Sequence, residues 1–187
     1  MKEIKKAVLL FVALSLLTGV FYPMAVTVLA HLFFPRPATG SLIYKADGTC
    51  MGSFLIGQPF SDPRYFWSRP SATANFLYNS LASGGSNLGP TNKDLIKQIE
   101  ERVASFQSMG IKRLLPADLV MASGSGLDPD ISMEAAIIQI PRIARERHVS
   151  EEKVRNLVQN YLEDRQFGFL GAKRVNVLKL NLALDNL

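Results

Sequence analysis

The sequence predicts an α+β domain carried behind a single N-terminal transmembrane helix. Two observations point there. From Ala7 to Phe34 (AVLLFVALSLLTGVFYPMAVTVLAHLFF) the chain holds no Asp, Glu, Lys or Arg. Beyond that run, helices and a few strands mix without regular βαβ alternation, which favours α+β. The organisation reads as a cytoplasmic N-terminus (1–6), a transmembrane helix (7–34) and one extracytoplasmic (periplasmic) domain (35–187).

A helix needs about 20 apolar residues to cross a ~30 Å hydrocarbon core, and the Ala7–Phe34 run exceeds that. In hydrocarbon every backbone polar group needs an internal partner, so the run should be helical. Pro23 removes one such bond and predicts a kink near Thr18–Gly19. Lys2, Lys5 and Lys6 precede the span and only Arg36 and then Lys45 follow it closely, so the N-terminus should stay in the cytoplasm. The competing reading is a cleaved secretory signal with Val28-Leu29-Ala30 as the peptidase site. Its apolar region normally runs about 7–15 residues, and this one is much longer.

Composition narrows the partners. The net charge is +5 and the isoelectric point about 9.4. Cations are interleaved with carboxylates, however, and the longest basic clusters are pairs such as Lys112-Arg113, which argues against nucleic acid. The single cysteine, Cys50, leaves an outer domain without an internal disulfide.

In chain order, PRPATG (35–40) forms the exit from the membrane. Ser41–Lys45 and Met51–Ile56 read as a hairpin around Ala46-Asp47-Gly48. Residues 57–74 are irregular, yet Phe60, Tyr65, Phe66 and Trp67 carry too much apolar area to lie idle. A glycine-rich loop (83–90) follows. Thr91 and Asp94 suggest a capped helix with Leu95, Ile99, Val103 and Phe106 on one face, closed by Gly110. Residues 116–130 read as a second irregular stretch. Ser132 caps a helix through Gln139, and Pro141 fits either a kink or the first turn of a follow-on helix to Arg147. Ser150 caps another, with Val154, Leu157, Val158, Tyr161 and Leu162 on one face, ending near Gly168. Leu178, Leu180, Leu182 and Leu184 at period two read as a terminal strand over 175–184.

Catalytic constellations are thin. His31 belongs to the span and His148 to a helix end, which leaves no histidine for a Ser-His-Asp triad. Cys50 has no nearby basic partner and reads as a buried or idle thiol. Asp128 and Asp130 lack the further acidic positions of an EF-hand. Gly84 and Gly89 have phosphate-loop spacing, but Pro90 stands where the loop needs Lys. A structured turn feeding the next helix is favoured over a phosphate site, with a partner-contact loop as the other reading. Contact candidates are Gly19, Tyr22 and Pro23 in the span, and Ser83, Gly84, Gly85, Asn87 and Gly89 in the loop.

Several strings occur here together and in order. They are the uncharged span, Gly52–Gln58 (GSFLIGQ), Tyr65–Ala72 (YFWSRPSA), Ser83–Asn92 (SGGSNLGPTN), Ala122–Ser132 (ASGSGLDPDIS), Gln139–Arg142 (QIPR), Val175–Leu178 (VNVL) and Leu180–Asp185 (LNLALD). In this the chain resembles the C subunit of the Kdp-type potassium-transporting P-type ATPase over nearly its whole length. The resemblance implies a non-catalytic subunit of a bacterial inner-membrane complex for high-affinity potassium uptake. Its partners would be a channel-like potassium-translocating subunit, the P-type catalytic subunit and a small membrane subunit. It would carry no cofactor of its own and meet ATP only within the complex. The alternative is a signal-anchored periplasmic binding or hydrolytic domain unrelated to potassium.

The resemblance further implies a chaperone that raises the ATP affinity of the catalytic subunit, with a glutamine at the nucleotide. Gln139 is the matching position. ATP is cytoplasmic, whereas the lysine asymmetry sends Gln139 outside. A buried glutamine bonded to backbone groups near Pro141 is therefore favoured, and any effect on ATP affinity is expected to be indirect coupling between separated sites.

Overall fold

The computed structural model describes residues 1–45 and 47–187. The chain divides into two compact units, Met1–Ser53 and Phe54–Leu187.

The first unit opens with a continuous helix. It comprises α1 (Lys2–Leu16), a π-helical turn (Leu17–Phe21) and α2 (Tyr22–Phe33). Together they give a 32-residue helix, Lys2–Phe33, with mean hydropathy 2.1, long and apolar enough to cross a membrane. None of its side chains is buried within the chain. The irregularity expected near Thr18–Gly19 takes a specific form. Pro23 has no N–H to give Gly19 and its ring crowds that carbonyl. The helix widens there, with the Tyr22 N–H bonding the Leu17 carbonyl five residues back, while Thr18 Oγ1 donates to Leu14 O at 2.8 Å.

A short helix, α3 (Pro35–Ala38), leads to the antiparallel hairpin of β1 (Leu42–Tyr44) and β2 (Cys50–Ser53). Ile43 faces Gly52, and a bulge follows at Ile43/Tyr44. Asp47 Oδ1 accepts from Thr49 N at 2.8 Å, and Gly48 takes φ +83°. Ala46, placed in this turn from sequence, lies outside the described residues. Cys50 is exposed rather than buried.

The second unit is built on α6 (Met133–Arg147), whose Ala135, Ala136, Ile140 and Ile143 are fully buried. Around it lie α4 (Lys93–Ser108), α5 (Ala117–Val120), α7 (Glu151–Asn160) and α8 (Val177–Leu184). A small antiparallel sheet has the order β3 (Asp130–Ser132), β5 (Arg174–Asn176), β4 (Leu162–Glu163). Val175 sits opposite both Ile131 and Leu162. The mixed helix and strand architecture expected from sequence is present.

Several local expectations are corrected. Residues 177–184 are helix, not strand. Asn176 caps them by accepting from Lys179 N at 3.1 Å, and Val177, Leu180, Asn181 and Leu184 form a buried i, i+3, i+4, i+7 stripe. The cap of α4 is Asn92, accepting from Asp94 N at 2.8 Å, rather than Thr91. Pro141 lies inside one unbroken helix, because the buried residues on either side of it fix both halves on the core. Helix α7 stops at Asn160, well before Gly168, and its place is taken by β4 and a turn. Residues 116–130, expected to be irregular, contain α5 and the start of β3. The Ser132 and Ser150 caps form as expected, accepting from Ala135 N at 3.1 Å and Lys153 N at 3.3 Å.

Candidate functional site

The most constrained polar centre of the second unit surrounds Gln139. Ser132 starts α6 so that Gln139 and Arg142, three residues apart, share the face turned into the core. Gln139 is 0% exposed and Arg142 2%. Against them runs a segment without regular secondary structure, Ser61–Arg69, which turns at Asp62–Tyr65 and then continues through Phe66 and Trp67.

Gln139 Oε1 accepts from Trp67 N at 2.8 Å and from Arg142 Nη2 at 2.7 Å. Its Nε2 donates to Trp67 O and Ala135 O, each at 3.2 Å. A primary amide offers two donor hydrogens and two acceptor positions, and all four are in use. The backbone groups it satisfies are those of Trp67 and Ala135, not groups near Pro141.

Arg142 is a buried cation with no carboxylate within ion-pair distance among the described residues. It donates through Nη1 to Pro63 O and through Nη2 to Tyr65 O at 3.0 Å. Its guanidinium lies 4.5 Å from the centre of the Trp67 ring. Burial pulls its pKa down to about 10, still far above neutrality, so it remains charged. On the neighbouring residue, Asn181 of α8 makes a matching pair of bonds. It accepts from Phe66 N at 2.8 Å and donates to Phe66 O at 2.9 Å.

The glycine-rich loop faces inward over part of its length. Gly84 N donates to Ser125 O at 2.8 Å and Ser83 Oγ to the same carbonyl at 3.1 Å. Gly126 takes φ +67°, and a Cβ there would stand 2.6 Å from Gly84 O. The loop is thus a docked turn against residues 123–126, with Arg69 and Asp128 pairing at 2.8 Å nearby. Ser83, Asn87 and Gly89 remain exposed while Gly84 and Gly85 are half-buried. Gly19, Tyr22 and Pro23 gather at the π-helical turn of the other unit, where nothing approaches within 4 Å of a Cβ built on Gly19.

One surface element was not singled out from sequence. Between β4 and β5 the chain folds back at Gln166 and Leu170, and its tip exposes Phe167 by 87% and Phe169 by 70%. Phe167 has φ +53°, a conformation that costs a bulky side chain about 1–2 kcal/mol. The string RQFGFLG, apolar residues set between glycines, was its sequence signal.

A family model described as "K+-transporting ATPase, c chain" matches residues 4–186. The chain belongs to this family. Relatives named "Potassium-transporting ATPase KdpC subunit" agree along the whole chain. That of Geotalea uraniireducens is 56% identical, covering 100% of this chain and 99% of its own. That of Geobacter metallireducens is 54% identical over the same shares, and that of Methylococcus capsulatus 58%, over 98% and 97%. Within this C-chain frame no group of three or more His, Cys, Asp or Glu suited to a metal occurs among the described residues. His148 is the exposed left-handed residue ending α6, as expected of a helix terminus.

Proposed function

We propose that this chain is a non-catalytic subunit of an ATP-driven, high-affinity potassium uptake complex of the inner membrane. The helix Lys2–Phe33 is its single anchor, with the N-terminus in the cytoplasm and the domain that follows in the periplasm. It joins a channel-like potassium-translocating subunit, the P-type catalytic subunit and a small membrane subunit. It stabilises their assembly and raises the ATP affinity of the catalytic subunit from a distance.

The observation that carries indirect action is Gln139. The position that the family resemblance assigns to ATP is sealed in the core, with every hydrogen-bonding position taken by Trp67, Ala135 and Arg142. A nucleotide could reach it only by displacing those partners. The exposed tip at Phe167 and Phe169 supplies an apolar contact for a partner subunit instead.

Topology decides the proposal, and Cys50 offers a direct probe because it is exposed and the sequence has no other cysteine. In intact spheroplasts expressing the chain, a membrane-impermeant maleimide should label Cys50 before lysis. Labelling that appears only after lysis places the domain with ATP and defeats the indirect reading.

A further inference from the structure

The second unit contains a pocket of about 320 Å³ that the proposed function does not use. It opens between the irregular segment 59–71, Leu77 and Tyr78, helix α4 and Leu119 of α5. Its apolar walls include Phe60, Trp67, Phe106 and Leu119, and Trp67 and Phe106 meet at 5.4 Å between ring centres. Arg69 and Arg102 also line it, and no Asp or Glu does.

The two arginines are in different states. Arg69 is paired with Asp128 at 2.8 Å, yet its Nε is buried without a hydrogen-bond partner. Arg102 donates to Val120 O at 2.6 Å and to Gln98 Oε1 at 3.1 Å. It has no carboxylate within ion-pair distance among the described residues, and burial lowers its pKa. A guanidinium has five N–H donors, and a cation partly withdrawn from water without a counter-charge gains most from an anion. Ligand pockets run from about 300 to 1,000 Å³, so this one has room for a single ring rather than a nucleotide.

We propose that this pocket binds a small free organic anion, one carboxylate on an aromatic or branched apolar body. The body lies among Phe60, Trp67 and Phe106, and the carboxylate meets Arg102. A free solute fits better than an acidic side chain of a partner. The aromatic lining would leave most of its area uncovered against a lone carboxylate arm, whereas a ring bearing its own carboxylate fills both halves. The assignment rests on the pocket alone and stands whether or not the potassium-complex reading holds.

Trp67 is the only tryptophan in the sequence, so intrinsic fluorescence of the full chain in detergent reports the pocket. Phenylacetate, benzyl alcohol and benzylammonium share a ring and differ in charge. Phenylacetate should change the emission saturably, in the millimolar range or tighter for a ligand of this size, at least tenfold tighter than benzyl alcohol. Benzylammonium should give no saturable change. Arg102→Gln should bring the anion-to-alcohol ratio close to one while circular dichroism stays unchanged. Should that variant fail to fold, Ser105→Tyr, at an exposed position lining the pocket, should abolish binding with Arg102 intact. Equal response to all three probes overturns the proposal, as does an unchanged preference in Arg102→Gln. Preference for ATP over phenylacetate overturns it as well.

Discussion

Replacing Gln139 by alanine separates a structural glutamine from a ligand-contacting one. The substitution orphans Trp67 N–H and Trp67 O and takes from Arg142 one of its three hydrogen-bond partners, while Ala135 O keeps its place in the helix ladder. A buried polar group left without a partner costs about 1–3 kcal/mol. The Trp67 N–H and the charged Arg142 contribute about 1–2 kcal/mol each, and Trp67 O adds roughly 1 kcal/mol. The expected loss is therefore about 3–5 kcal/mol. Urea unfolding of the full chain in detergent, followed by Trp67 emission, reads it directly. With a slope of about 2 kcal/mol per molar urea, the midpoint should fall by about 1.5–2.5 M. Asn181→Ala, which removes the equivalent pair of bonds to Phe66 but no bond to a charged group, should cost about 2–3 kcal/mol. Gln159→Ala, at an exposed position of α7, should stay within about 0.5 kcal/mol. A Gln139→Ala midpoint indistinguishable from that of Gln159→Ala would refute the reasoning and return Gln139 to the nucleotide.

Two further outcomes follow from the loops. Gly126→Ala should destabilise the domain by about 2–4 kcal/mol, combining the left-handed backbone with overlap against Gly84 O; Gly84→Ala, whose Cβ would meet nothing within 4 Å, should be close to neutral in the same urea assay, and equal effects would contradict the docked-loop geometry. At the tip, Phe167→Asp combined with Phe169→Asp should leave the unfolding midpoint nearly unchanged, since both rings are exposed and Asp tolerates positive φ. The double variant should nonetheless lose most partner subunits on co-purification in detergent, and full retention would remove the tip from the interface.

The long helices were legible because composition and period agreed. The Ala7–Phe34 run was long and apolar enough to announce a helix, and Ser132 and Ser150 announced α6 and α7 through their caps. The terminal segment was not, because an eight-residue run of alternating leucines fits both templates. Leu178, Leu180, Leu182 and Leu184 satisfy period two, while Val177, Leu180, Asn181 and Leu184 satisfy the helical stripe. Asn176, a strong capping residue, held the deciding signal. At the site, Gln139 was reached through family strings rather than physics. Arg142 stood in the same string, but arginine is almost never fully buried unless paired. Its carbonyl partners lie in a segment more than seventy residues upstream, which no local pattern connects to it. The pocket and the tip were hidden for the same reason, being properties of how distant loops meet.

The central amides explain how an irregular segment can occupy the core. In an extended chain the N–H and C=O of one residue point to one side and those of the next to the other. Phe66 turns its pair toward Asn181 of α8, and Trp67 turns its pair toward Gln139 of α6. Each side-chain amide thereby replaces a neighbouring strand, satisfying backbone groups that would otherwise be costly to bury. Gln139 and Asn181 are then two instances of one device, clamping the same dipeptide from opposite sides. Trp67 carries that constraint outward, since its ring rests under Arg142 on one flank and lines the pocket on another. Gln139 is thereby connected to the pocket wall through Trp67, without any ligand touching the glutamine. Packed side chains and hydrogen-bond networks are one route by which separated positions couple, and the Phe66–Trp67 clamp joins α6, α8 and the pocket wall in such a network.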